Sequence, residues 1–395
     1  MTRRYIWDKT PKTSILVLNL HLSRFLEPAI SGLNYVSIDL AAPVVYLRGR
    51  FLIHLVVALR KHNRMVAWLI ALAKSSGCKV ILAMDNFNVG HHNKKGTLLL
   101  DELAKSLSDV SVIVVQHGQE LRRRTQDSDS SNVTMLCWGN WTAENFPKFG
   151  RSESSYKVVG PLVDGLYRAA RPETVTKDID VTLVSTVKDE SWWGTDVGER
   201  RAGYENLIAY FKKFVLKHQI RYYVALTIDR DTYQGSPEPE LERNWFVERL
   251  GDQVNFSDPT AFLGSKDLLS AHQPLPRYTK ERYSTYYLCD RSQVTLGMSS
   301  TVLWESFGRG NKILSVNMTQ NEIYDFPIVG PWSLRCPTFE EFESSLLSLL
   351  GMGEQEWLRV STHGRQQLVH FDAKEPPHVL IQTFLKEKIQ ELSSW

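Results

Sequence analysis

Short, nearly continuous apolar runs alternate along this chain with longer amphipathic stretches. That is the pattern of buried strands alternating with helices. Ser14–Leu20 (SILVLNL), Lys79–Met84 (KVILAM), Val110–Val115, Val133–Trp138 and Lys157–Gly160 each have strand length, and Val36–Leu40 reads as one more strand. Between them, Phe51–Ser75 predicts one long helix or two, stopped by Gly77, and Thr97–Leu107 and Trp141–Phe149 predict shorter ones. A second series follows: strands over Asp180–Ser185, Arg221–Ile228, Gln293–Met298 and Lys312–Val316. Its helices are Ala202–His218, with Leu207, Tyr210, Phe211 and Val215 on one face, then a segment opened by Glu238, Glu240 and Glu242, then Tyr278–Asp290. Phe339–Leu350, Glu354–Phe371 and His378–Leu392 close the chain as helices.

Two series of alternating elements, in 395 residues, predict an α/β protein of two Rossmann-like domains facing a cleft. The polar stretch 168–178, with Pro172, reads as the linker. Residues 1–170 then form the first domain and 171–395 the second, with the last helices as candidates to pack back on the first. Composition adds exclusions. A net charge of +3 argues against nucleic-acid binding by bulk charge. Four scattered cysteines make neither a zinc motif nor a disulfide framework, and His91-His92 has no nearby acidic or cysteine partner, so no metal is expected. The start lacks a signal-peptide core, and the apolar runs Phe51–Leu59 and Val66–Ala73 are too short to span a bilayer. A cytoplasmic enzyme is the simplest expectation, with peripheral attachment to the inner membrane left open.

The candidate chemistry centres on Ser292–Met318. A strand ends in Gly297-Met298-Ser299-Ser300-Thr301, a helix follows from Val302, Gly308 and Gly310 punctuate its end, and another strand begins. A helix N-terminus offers unpaired N–H groups and a positive dipole end, and the three hydroxyls add donors, so the turn suits a phosphate. Glu305 lies one helical turn deeper, where a carboxylate can accept ribose hydroxyls. The alternative is that Ser299 or Ser300 is a plain N-cap. Gln116-His117-Gly118 follows a first-domain strand at the edge where open α/β sheets bind ligands. Asp229 and Asp231 end a second-domain strand, and Asp229 is the best-placed carboxylate for catalysis unless it caps the following turn. The loop-rich segment 257–276 contains His272, which joins the donor-binding candidates.

The pattern G-x-S-S-T-x-x-x-E-x-x-x-x-G-x-K-I-L, starting at Gly297, resembles the donor-nucleotide segment of GT-B glycosyltransferases that build bacterial surface polysaccharides. The Q-H-G triplet is similar to one at the same point in several of them. Together with the D-x-D strand end and the chain length, the chain most resembles the retaining β-Kdo transferases. The resemblance implies a CMP-Kdo donor, with Gly297 and Ser299–Thr301 at its phosphate and Glu305 at its ribose. It implies an aspartate nucleophile acting by double displacement, no cofactor beyond the CMP-sugar substrate, no metal, and a lipid-linked glycan acceptor. Asp229-Arg230-Asp231 also looks like the metal motif of GT-A enzymes. Two other readings stand beside it: another GT-B transfer, from CMP-sialic acid or CDP-glycerol, and a noncatalytic nucleotide-sugar- or glycan-binding protein.

Overall fold

The computed structural model describes residues 4–19, 23–40, 44–84, 99–118, 133–149, 155–171, 174–186, 197–226, 238–256 and 277–394. The chain divides into two compact units, residues 1–166 with 370–395, and residues 167–369.

The first unit is built on β1 (Arg4–Lys9), β2 (Ile15–Asn19), β3 (Tyr35–Asp39), β4 (Val44–Arg48), β5 (Val80–Ala83), β6 (Ser111–Val115), β7 (Val133–Cys137) and β8 (Ser155–Val158). Six of these make one parallel sheet in the order β3-β2-β5-β6-β7-β8. β2, β5, β6 and β7 are buried almost throughout, as strands covered on both faces must be, which is why they read as apolar runs. The structure adds a separate two-stranded parallel sheet of β1 and β4 that the apolar pattern does not announce. Phe51–Ser75 resolves into two helices, α1 (Phe51–Leu59) and α2 (Arg64–Ser76). The break falls at Asn63, whose side chain caps α2 by accepting from the Met65 and Val66 amides at 3.0 Å each. α3 (Leu99–Ser106) and α4 (Asn140–Asn145) follow. α5 (Leu162–Ala170) extends into the stretch read as linker, and the change of unit at Leu166 and Tyr167 falls inside it.

The second unit holds β9 (Ile179–Val184), α6 (Val197–His218), β10 (Tyr222–Ala225), α7 (Glu238–Leu250), β11 (Asn255–Phe256), α8 (Arg277–Arg291), β12 (Ser292–Gly297), α9 (Thr301–Arg309), β13 (Lys312–Asn317), β14 (Ser333–Arg335), α10 (Phe339–Gly351) and α11 (Glu354–Leu368). All six strands are parallel, in the order β11-β10-β9-β12-β13-β14. Counted from β9, this is 3-2-1-4-5-6, the doubly wound order whose direction reverses between β9 and β12. The closing helix α12 (Pro377–Ser393) belongs to the first unit.

The amino edge of the second sheet is tied by a buried ionic cluster. Asp290, at the end of α8, accepts from Arg309 Nε at 2.7 Å and Asn311 Nδ2 at 2.6 Å through one oxygen. Its other oxygen accepts from the Tyr167 hydroxyl and Arg171 Nη1, each at 2.9 Å. Lys177 donates to the Ser292 carbonyl at 2.8 Å, and the Arg309 guanidinium lies 4.7 Å from the Tyr286 ring centre. Burial alone would raise the Asp290 carboxyl, but the Arg309 charge and its hydrogen bonds outweigh that and hold it down at about 2.

Candidate functional site

The carboxyl edge of the second sheet is chemically the opposite of that cluster. β12 ends at Gly297, where a Cβ would lie 3.4 Å from both Leu303 Cδ1 and Val184 Cβ. The chain then turns at Ser299 with φ +48°, a left-handed conformation uncommon for a residue with a side chain. Ser300 takes extended geometry and caps α9, its Oγ accepting from the Val302 amide at 3.3 Å. Gly310 closes the same helix at φ +98°, donating to the Phe307 and Ser306 carbonyls. Ser299, Ser300 and Thr301 are half-buried at the mouth of the turn, whereas Glu305 is only 1% exposed, inside the unit. Ser300 is therefore an N-cap: its side chain takes the Val302 amide and its carbonyl takes the Leu303 amide at 3.1 Å, with Ser299 and Thr301 on either side of it at the sheet edge.

β9 brings a second set of groups to the same edge. The pairing of β9 with β12 runs to Leu183 with Leu296, so Thr186, two residues past β9, and Ser299, two residues past β12, both follow strands that end at this edge. Neighbouring strands are about 4.8 Å apart, so the two residues flank the point where the strand order reverses. Thr186 is 6% exposed, and its Oγ1 has no hydrogen-bond partner among the described residues. Ser185, one residue earlier, donates a close hydrogen bond to the buried Glu242 carboxylate of α7. Tyr204 of α6 donates to the Val184 carbonyl at 3.1 Å, and burial together with the Glu242 charge pushes its phenol well above the usual range.

α6 reaches this edge because residue 203 is glycine. A Cβ there would sit 2.6 Å from Thr319 Cγ2 and 3.3 Å from Met298 Cε. Three residues earlier on α6, the Arg200 guanidinium lies 5.6 Å from the ring centre of Tyr324, which follows β13. Asn317 fixes the segment after β13, its side chain donating to Asp325 Oδ1 at 2.6 Å and accepting from the Thr319 amide at 2.9 Å.

In the first unit, His117 follows β6 and its Nδ1 donates to the Met84 carbonyl at 2.7 Å, at the end of β5. In the neutral ring this leaves Nε2 as the acceptor nitrogen. Gln116 is buried, accepting from the Trp138 amide at 2.9 Å and donating to the Gly118 carbonyl at 3.0 Å. Each side chain of the pair thus ties two strand ends together, and the loop-carbonyl role of the histidine is present. Asp229, Asp231 and His272 lie outside the described residues. So does the His91-His92 pair.

Ser185, Thr186, Glu242 and Arg200 are the groups that sequence reasoning missed. The one available signal was position: Ser185 stands where the first strand of the second series ends. What it faces depends on which strand lies beside it.

The chain matches no family model, and it matches no characterised protein by sequence. Its fold is shared with solved structures. It is similar to a protein of Listeria monocytogenes assigned as a UDP-N-acetylglucosamine 2-epimerase, with TM-score 0.52 and 12% identity over 97% of each chain. It is similar to the wall teichoic acid polymerase TagF soaked with CDPG, with TM-score 0.52 and 9% identity over 97% of this chain and 90% of that one. The UDP-GlcNAc 2-epimerase of Methanocaldococcus jannaschii, in complex with UDP-GlcNAc and UDP, matches with TM-score 0.52 and 12% identity over 95% of this chain and 99% of that one. At such identities the likeness defines the fold. It is an α/β fold of two Rossmann-like domains, of the GT-B type.

Proposed function

We propose that the chain is a GT-B glycosyltransferase that moves the acidic sugar Kdo from CMP-Kdo to a growing lipopolysaccharide O-antigen or capsule glycan, with retention. One observation carries the nucleotide part: a buried hydroxyl without a partner among the described residues, Thr186, and a strained hydroxyl turn, Ser299–Thr301, flank the reversal point of a 3-2-1-4-5-6 sheet. A phosphate there accepts from the hydroxyls of Thr186, Ser299 and Thr301, with Arg200 supplying positive charge from α6. Glu305 is the candidate for the ribose, and Gly297 keeps the strand end clear of a Cβ. The identity of the sugar rests on the motif resemblance.

In this reading Asp229 attacks the anomeric carbon. The bond from that carbon to the donor phosphate oxygen breaks, and CMP leaves with the electron pair. The acceptor hydroxyl then displaces the carboxylate, giving up its proton to a base. Two inversions give retention. Asp231 is the alternative nucleophile. His117, with Nε2 as acceptor, is suited to the acceptor hydroxyl or its proton.

A second reading is favoured by one comparison. The TagF structure soaked with CDPG shares the fold across almost the whole chain, so transfer from CDP-glycerol is the rival. The deciding experiment is turnover and calorimetric binding with CMP-Kdo, CMP-sialic acid and CDP-glycerol. Intact mass of the protein after incubation with the productive donor alone completes it. The expected outcome is turnover of CMP-Kdo, one added sugar on the peptide holding Asp229, and loss of turnover with retained CMP binding in Asp229→Asn. Turnover of CDP-glycerol alone establishes the rival. Binding of a donor without turnover establishes the noncatalytic reading.

A further inference from the structure

The first unit carries an apolar helix, α1, whose large side chains are mostly exposed among the described residues. α1 is the nine-residue sequence FLIHLVVAL, and only Phe51 and Ala58 are buried. Leu52, Ile53, Val56, Val57 and Leu59 are exposed at 37%, 65%, 55%, 56% and 45%. Fourteen large hydrophobic side chains are exposed among the described residues, and five of them stand on this one helix. Scattered exposed apolar residues need no explanation, but a concentrated set does.

The charge along this stretch of the sequence is of one sign, although Asp8 of β1 acts on Tyr46, whose ring packs against Phe51. From Leu40 to Met84 the sequence holds Arg48, Arg50, Arg60, Lys61, Arg64, Lys74 and Lys79 and no aspartate or glutamate. Arg50 precedes α1, Arg60 and Lys61 follow it, and all three are exposed, as are Arg64 and Lys74 on α2. Arg50 and Lys74 act on His54, in the middle of α1, lowering its pKa together with the larger effect of burial. The carboxylate that meets this helical hairpin, Glu102 of α3, is engaged by His62 at 3.0 Å in the turn between α1 and α2. No described helix is long and apolar enough to cross a membrane.

We infer that α1 is a docking element for an anionic lipid surface. Leu52, Ile53, Val56, Val57 and Leu59 enter the headgroup and acyl boundary, and Arg50, Arg60, Lys61 and Arg64 meet the lipid phosphates. The charge complementarity selects this occupant. A protein groove that accepts such a helix can be neutral, whereas basic residues at both ends of an apolar face match a surface of continuous negative charge. The length fits as well, because nine helical residues span about 13 Å, enough to lie in the interface and too short to cross it. The inference goes beyond the proposed transfer reaction and does not depend on the donor, because lipid binding is read without nucleotide.

The test is cosedimentation of the full chain with vesicles of phosphatidylethanolamine and phosphatidylglycerol, against vesicles of phosphatidylcholine alone. Anionic vesicles should bind about tenfold more protein, and most of that gain should vanish in about 0.5 M salt, where surface charge is screened. Ile53→Ser with Val57→Ser should lower binding about tenfold with an unchanged melting temperature, since both side chains are already in water. Arg60→Glu with Lys61→Glu should abolish the preference for anionic vesicles. Binding to neither vesicle, or binding that both double variants leave intact, overturns the inference. A concentration-dependent dimer in sedimentation velocity that Ile53→Ser with Val57→Ser dissolves also overturns it, by giving the face to a second copy of the chain.

Discussion

The two edges of the second unit's sheet invite comparison, because the same strands supply both. At the amino edge, Asp290 uses both oxygens on four donors, and the Arg309 side chain it holds is 0% exposed. At the carboxyl edge, eight or so residues along the same strands, Thr186 keeps a buried hydroxyl without a partner among the described residues, and Ser299 sits at φ +48°. At one edge both oxygens of a buried carboxylate are engaged, and at the other a buried hydroxyl has no partner among the described residues. Buried polar groups left unmade are costly, and they persist where a ligand completes them. On the proposed function, the amino edge serves stability and the carboxyl edge serves binding.

The largest expected effect tests the amino edge. Asp290→Ala strips the carboxylate from a buried guanidinium and should cost about 3–5 kcal/mol in denaturant unfolding. The same residue predicts a pH dependence. Its folded pKa of about 2 lies below the ordinary 3.8, so its contribution is complete above about pH 4 and is lost as pH falls through about 2. That contribution should amount to about 2 kcal/mol. Comparing unfolding from pH 5 to pH 2 in the wild type and in Asp290→Asn isolates it, since the variant lacks this titration. A loss below about 1 kcal/mol for the alanine variant would show that the cluster is not what holds this edge.

Next in size is the Thr186 hydroxyl. Thr186→Val keeps the shape and removes the group. Donor affinity should weaken by about 1.5–3 kcal/mol, the range for a hydrogen bond to a charged partner, while the melting temperature holds or rises. Calorimetry with CMP and thermal unfolding of the same preparation read both. Unchanged affinity removes Thr186 from the site. A drop in stability with no change in affinity would make it an ordinary core residue.

The smallest effect belongs to the turn. Ser299→Gly relieves the left-handed strain and should stabilise the fold by at most about 1 kcal/mol, part of which the freer unfolded chain takes back. CMP binding should weaken at the same time, because the hydroxyl is gone. A variant that is more stable and binds CMP as before would show that the strain serves the fold alone.

Much of the second unit was legible before any coordinates. β12, α9 and β13 fall within a residue of the segments read from Gln293–Met298, Val302 onward and Lys312–Val316, because Val294 and Leu296, and Ile313, Leu314 and Val316, give each strand its buried apolar positions even though polar residues stand among them. The helix ends were legible too: Ser300 and Gly310 are residues whose chemistry marks a start and a stop. The pairing of β1 with β4 was not, because it joins segments about 40 residues apart through hydrogen bonds that no side chain encodes. The α1 surface was half legible. Its apolar run appeared as Phe51–Leu59, but exposure cannot be read from hydrophobicity.

The local grammar of the chain determined the strands, the capped helix and the hydroxyl turn, since propensity, burial pattern and capping act over a few residues. Tertiary structure decided what those pieces face. Thr186 and Ser299 are 113 positions apart in sequence, and they come to the same sheet edge only because β9 and β12 pair in one register at the centre of the sheet. Tyr167 and Asp290, 123 apart, meet for the same kind of reason. Strand order and register are set by how whole faces of the domain pack together, and that free energy belongs to no single segment of sequence.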